Sequence, residues 1–237
     1  MLNKKLLPAA VATALLAGTS MVQAEEPAIV TGDELVGGFE ISGNVALTTD
    51  YRFRGISQSD EDIAVQGGFD AEFGPGFYVG IWGSSVDFDT NGDCCDGSLE
   101  LDYYACFAND INDSIGYDVG VIYYDYPGGD LGGVDPEYWE VYGGLSGDLG
   151  PVSLSCTISY SEDYFGETGK AWYYDLGASY GLPYDISLNA HFGYQTIDDG
   201  SIKDDGFFSS DEDSYKDWSI GVTKTMWDLD FDLSYID

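Results

Sequence analysis

From Phe39 onward, the chain repeats one pattern about eleven times: roughly ten residues in which apolar side chains alternate with small or polar ones, then a turn. Phe39-Ile41-Val45-Leu47, Val152-Leu154-Cys156-Ile158, Trp172-Tyr174-Leu176-Ala178, Ile186-Leu188-Ala190-Phe192 and Leu229-Phe231-Leu233-Tyr235 show it most clearly. A period of two places those side chains on one face of a strand. The segment length suits a tilted strand crossing a bilayer. The pattern predicts an all-β, antiparallel, up-and-down transmembrane β-barrel, with strands near 39–54, 62–73, 77–88, 98–109, 114–126, 137–149, 151–162, 170–181, 184–197, 215–226 and 228–237.

The connections sort into two classes that alternate. Gly74-Pro75-Gly76, Asp110-Ile111-Asn112-Asp113, Asp148-Leu149-Gly150-Pro151, Gly181-Leu182-Pro183-Tyr184 and Trp227-Asp228 are tight, and longer connections stand between them. Short turns at one end and long loops at the other are the outer-membrane arrangement. Aromatic residues gather near strand ends, as at Tyr123, Tyr124 and Tyr126, or Trp172, Tyr173 and Tyr174, in the manner of interfacial girdles. A soluble sandwich is the competing reading, and the uniform up-and-down spacing argues against it. Eleven is an odd count where even numbers are the rule, which predicts a barrel of about twelve strands whose closing C-terminal strand lies beyond residue 237.

The N-terminus has the layout of a secretory signal peptide: Lys4 and Lys5, an apolar run from Leu6 to Gly18, then Val22-Gln23-Ala24 before Glu25. The expected organisation is a signal peptide over 1–24, a short periplasmic leader over 25–38 and the barrel over 39–237, exported to the outer membrane of a Gram-negative bacterium.

Charge narrows the partners. The formal net charge is −35, and it becomes more negative once Lys4 and Lys5 leave with the signal. Such a surface repels nucleic acid and attracts cations. Because aromatics make up 15% of the chain and hydrophobics 44%, the acids do not signal disorder. A saline habitat explains the acidity as well as a functional cation preference does. Of the four cysteines, Cys94 and Cys95 are adjacent, while Cys106 and Cys156 point to opposite faces, so no bridge essential to the fold is expected.

If the apolar set faces lipid, the inward set follows by parity. It supplies the pore-lining candidates Asp50, Arg52, Arg54, Asp70, Glu72, Glu100, Asp102, Asp118, Asp175 and His191, within a wider inward set that includes Asn189 and Gln195. Arg52 and Arg54 are the only arginines and face a wall rich in carboxylates. Opposed charges across a lumen sort small polar solutes, and the same pairs also neutralise buried acids. His191 invites a hydrolase reading, but nothing marks a serine nucleophile. Asp87, Asp89, Asn91 and Asp93 imitate the opening of a calcium loop. Its twelfth position is Ser98 rather than glutamate, and acidic turn chemistry explains the run more simply. No metal site, cofactor or catalytic group is assigned.

The stretch Asn44-Val45-Ala46-Leu47-Thr48-Thr49-Asp50-Tyr51-Arg52-Phe53-Arg54-Gly55-Ile56-Ser57-Gln58 resembles the TorF family of proteobacterial porins. So do Val65–Asp70, Gly76–Ser84 and Tyr117–Tyr124. The resemblance implies an outer-membrane barrel without an agreed substrate, in which a final strand ending in an aromatic follows an acidic loop. Residues and resemblance together give the expectation of a passive, cation-preferring channel for small hydrophilic solutes. A non-conducting surface barrel with cation-binding acidic loops is the alternative, and an outer-membrane hydrolase comes third. Outer-membrane lipid and small solutes or cations are the expected partners; the oligomeric state is not legible.

Overall fold

The structure is a computed structural model that describes residues 39–88, 95–131, 133–198 and 213–237. Eleven strands form one antiparallel sheet: β1 (Phe39–Thr48), β4 (Ala64–Phe73), β5 (Phe77–Ser85), β7 (Leu99–Asn112), β8 (Ile115–Asp125), β10 (Tyr138–Leu149), β11 (Val152–Ser161), β12 (Ala171–Leu182), β13 (Ile186–Ile197), β14 (Ser214–Met226) and β15 (Leu229–Ile236). Each pairs with its neighbour in sequence order, and β1 and β15 are the two edges. Four two-residue strands make two short ribbons in the long connections: β2 (Arg52–Phe53) with β3 (Ile56–Ser57), and β6 (Cys95–Asp96) with β9 (Asp130–Leu131).

The alternation that predicted the strands also sets their register. Along β12 the sequence Ala171-Trp172-Tyr173-Tyr174 runs buried, exposed, buried, exposed. A slip of one residue against β11 or β13 would exchange the two faces. The faces are inverted relative to a soluble sheet. Val45, Phe69, Val141, Ile158, Leu176, Phe192 and Ile220 stand exposed on the convex side. Glu100, Asp102, Asp118, Glu140, Gln195 and Asp217 are buried on the concave side with Tyr78, Tyr104, Tyr124, Tyr142 and Tyr173.

The sheet curls so that distant strands meet inside. The Tyr78 hydroxyl on β5 lies 3.2 Å from that of Tyr142 on β10, two strands being skipped between them. Outside, aromatic rows mark two levels. Tyr103, Tyr123 and Trp139 lie ring beside ring in sequence at 6.5 and 4.6 Å near the long-loop end, as do Tyr160 and Trp172 at 4.6 Å. Phe39, Phe73 and Phe77 do so at 5.5 and 6.0 Å near the short turns. On β12, Trp172 and Tyr180 are eight residues apart. That is ~27 Å of strand and about 20 Å of height at a tilt near 40°, close to the apolar band a bilayer requires.

The tight turns need their local chemistry. Tyr184-Asp185 and Trp227-Asp228 have positive φ at both positions, the geometry that matches strand twist in two-residue hairpins. Gly76, at φ 106°, brings its backbone so close to Ala108 that a Cβ there would fall 2.0 Å from the Ala108 carbonyl oxygen. β7 runs to Asn112 with a bulge near Asp110, so the turn after it is shorter than the spacing predicts.

The first strand departs from expectation. It ends at Thr48 rather than near residue 54. Thr48 Oγ1 donates to the Asp50 carbonyl at 2.8 Å and the Tyr51 amide donates to Ser59 Oγ at 2.9 Å. These local bonds take the backbone out of the ladder and turn Tyr51, Phe53 and Arg54 inward. Parity therefore fails beyond Thr48: Tyr51 and Phe53, expected on the outer face, are buried within.

Candidate functional site

The inward segment is a hairpin whose tip is Arg54-Gly55. Arg52 pairs with Ser57 and Phe53 with Ile56, leaving two turn residues at φ 50° and 82°. Glycine suits such a turn, but an arginine in the left-handed region costs ~1–2 kcal/mol. Long-range bonds hold it there. Arg54 Nη1 and Nη2 donate to Glu140 Oε1 and Oε2 at 2.8 and 2.7 Å, and Nη1 also donates to Gln195 Oε1 at 2.9 Å. The guanidinium lies 4.2 Å from the Tyr173 ring centroid and 4.7 Å from that of Phe53. Forked pairing and ring stacking both use the planar charge that arginine alone supplies. The Gly55 backbone closes on β14, where a Cβ would stand 2.7 Å from Asp217 Cβ.

Around the hairpin the wall contributes aromatic rings. Tyr51 packs edge-on against Trp82 at 5.6 Å, and Phe53 against Tyr124 at 5.7 Å. Tyr124 stacks on Tyr138 at 4.4 Å. Tyr51 donates to Glu100 Oε1 at 2.8 Å. Burial first, then the charges of Glu100 and Asp102, hold the Tyr51 phenol well above its usual range, which keeps it a donor. The hairpin is thus tied to carboxylates on two nearby wall strands, Glu100 on β7 and Glu140 on β10, with β8 between them.

The pore-lining candidates fall into separate groups. Arg54, Glu100 and Asp102 are at or beside the hairpin and buried. Asp50 and Arg52 lie within the loop itself: Arg52 Nε donates to Asp50 Oδ2 at 2.6 Å, with Glu61 at 3.7 Å, and Ser57 Oγ donates to Asp50 Oδ1 at 2.6 Å. Asp175 and His191 meet at 2.5 Å; Tyr173 joins them, its hydroxyl 3.1 Å from His191 Nε2 and 3.1 Å from Asp217 Oδ1. Asp118 accepts from Tyr78 at 2.6 Å and Tyr142 at 3.0 Å. Asp70 accepts from Tyr104, and Glu72 is half-buried two residues further along β4.

Glu140 and Asp217 were not singled out from the sequence, although parity with Tyr138 and Tyr142, and with Ser219, places both inside. Cys106 is buried within and Cys156 exposed without, neither bridged. Of the calcium-like run, Asp89, Asn91 and Asp93 lie outside the described residues. Asp87 is exposed, and its amide donates to the Gln58 carbonyl at 2.8 Å. Among the described residues no three His, Cys, Asp or Glu side chains converge as a metal site.

The family model described as "Bacterial protein of unknown function (Gcw_chp)" matches residues 33–237. The chain belongs to the Gcw_chp family. That family description carries no activity, and the TorF likeness of this Gcw_chp chain rests on the motif residues alone. No curated protein matches it. Among solved structures, "NanC porin structure in rhombohedral crystal form" is similar to the Gcw_chp chain over 77% of its length and 79% of the other, with 9% identity and a TM-score of 0.47.

Proposed function

We propose that the protein is an outer-membrane barrel that passes small hydrophilic solutes, with a preference for cations, through an interior narrowed by the β2–β3 hairpin. The observation that carries this reading is the inversion of the sheet: an apolar convex face with two aromatic levels, and a concave face of carboxylates and tyrosines. Water does not support an exposed apolar surface of that extent on a monomer, whereas lipid requires it. The apparent signal peptide over residues 1–24 and the TorF-like motif at residues 44–58 support export to the outer membrane of a Gram-negative bacterium.

The preference for cations follows from the charge imbalance inside. Glu100, Asp102, Asp118, Glu140 and Asp217 are buried against Arg54 as the buried arginine, so the field of the interior favours positive ions. The hairpin acts as the constriction, held against the wall by Glu140 of β10 and, through Tyr51, by Glu100 of β7.

A second reading is favoured by the burial of Tyr51, Phe53, Arg54 and Tyr124 together. Side chains that fill the section at the hairpin would make the barrel non-conducting at rest, and its acidic loops would then do the binding. Planar-bilayer recording of the refolded protein under a potassium chloride gradient separates the two. Steady openings with a cation-selective reversal potential support the channel. A silent membrane from a folded, heat-modifiable barrel overturns it.

A further inference from the structure

Beside the hairpin, one carboxylate has no partner in the protein. Asp102 stands on β7 between Trp82 of β5 and Tyr124 of β8. It is 0% exposed, and neither of its oxygens meets a hydrogen-bond donor. The ionisable groups that act on it are Glu100 and Glu140, both acids. The obvious counter-charge is taken: Arg54 presents both terminal nitrogens to Glu140. Glu100, on the same face of β7, is satisfied by neutral phenol hydroxyls, those of Tyr51 and Tyr126, and not by a basic group. Among the described residues no ion pair reaches Asp102.

A buried carboxylate with no donor and two further acids acting on it is among the least favourable arrangements a fold can hold. Such a group attracts a positive ion from the medium. Trp82 and Tyr124 flank it across the ladder, and aromatic rings tolerate a cation. A divalent ion would call on several carboxylates or other oxygens at once, and no three acidic, histidine or cysteine side chains converge here. We propose that Asp102, assisted by Glu100, binds a small monovalent inorganic cation of the sodium or potassium type inside the barrel, beside the β2–β3 hairpin. The site rests on the cation-preferring reading of the interior given above, but requires the ion to be held rather than conducted. It explains why the two inner acids of β7 persist side by side without a basic residue, and it makes the ion a structural partner of the hairpin.

The test is thermal unfolding of the full chain, refolded in detergent, in sodium or potassium chloride against N-methyl-D-glucamine chloride of equal ionic strength. The wild type is expected to gain a saturable rise in Tm with the small cations. Asp102→Asn is expected to lose that rise while being at least as stable as the wild type in N-methyl-D-glucamine; Asp60→Asn, on the exposed loop, is expected to keep it. A rise of equal size in Asp102→Asn, or none in the wild type, overturns the proposal. So does a wild type that matches Asp102→Asn in every medium, because a proton then replaces the ion. If Asp102→Asn does not fold, sodium-23 NMR of the wild type decides: potassium-displaceable line broadening is expected, and its absence overturns the site. Ion binding by a barrel silent in bilayers would sink the channel and leave the site, and cation currents without binding would do the reverse.

Discussion

Arg54 and Glu140, 86 positions apart, form a forked ion pair at 2.7 and 2.8 Å with almost no solvent access to either side chain. The pair fastens a turn that is locally unfavourable to a wall strand on the far side of the interior. Removing one partner strands the other charge in a buried place, which costs ~3–5 kcal/mol. Arg54→Ala and Glu140→Ala are each expected to lower stability by about that amount in urea unfolding from detergent. The double substitution is expected to cost less than the sum, because it leaves no orphaned charge. In bilayers, Arg54→Ala is expected to raise conductance as the hairpin loosens; unchanged currents in a destabilised barrel would show that the hairpin does not limit flow.

The short turns allow a sharper contrast. Gly74 and Gly76 both have positive φ, at 57° and 106°, but nothing lies within 4 Å of a Cβ at Gly74, whereas at Gly76 it would meet the Ala108 carbonyl oxygen at 2.0 Å. Gly74→Ala is expected to cost ~1 kcal/mol, the conformational penalty alone. Gly76→Ala must also push β7 away and break the hydrogen bond that the Ala108 amide donates to the Gly76 carbonyl at 2.8 Å. Heat-modifiability on gels after refolding reads the difference: near-normal barrel for the first, poor yield for the second.

Leu176 and Asp175 are neighbours on β12 with opposite surroundings. Leu176 projects from the convex face, and Asp175 meets His191 within. Arginine at Leu176, near mid-height, is expected to cost ~2–4 kcal/mol in a bilayer, while Asp175→Asn is expected to leave assembly intact. Refolding yields in lipid vesicles check this. Equal tolerance of both would argue against a membrane-spanning wall.

The eleven wall strands were legible because each must present one apolar and one polar face, and period two records that constraint in the order of residues. Residues 49–63 were not. Asp50, Arg52 and Arg54 continue the alternation after Thr48, and Tyr51 and Phe53 imitate lipid-facing positions. What turns the chain inward is a set of hydroxyl bonds at Thr48 and Ser59 and a partner 86 residues away, neither of which has a periodic signature. Glu140 was readable in principle, since Tyr138, Glu140 and Tyr142 share a face, but Trp139 and the nearby tyrosines drew attention to the girdle. The lack of a partner for Asp102 cannot be seen in sequence at all, because it depends on Arg54 being committed elsewhere.

Cys106 and Cys156 offer a direct reading of the two faces. Cys106 is 4% exposed on the concave side, opposite Tyr78 and Gly120 in the ladder. Cys156 is exposed on the convex side between Leu145 and Leu176. Single-cysteine variants keeping one or the other are therefore expected to react differently once in vesicles. An apolar maleimide that partitions into lipid is expected to label Cys156, and a charged, water-soluble one is not. Cys106 is expected to resist both until the barrel is unfolded, because aromatic rings and the Asp118 network surround it. Fast labelling of Cys156 by the charged reagent in vesicles would place β11 in water and overturn the assignment of the convex face to lipid. Fast labelling of Cys106 in the folded barrel would instead reveal an interior more open than the packed rings imply, which favours conduction over the closed alternative.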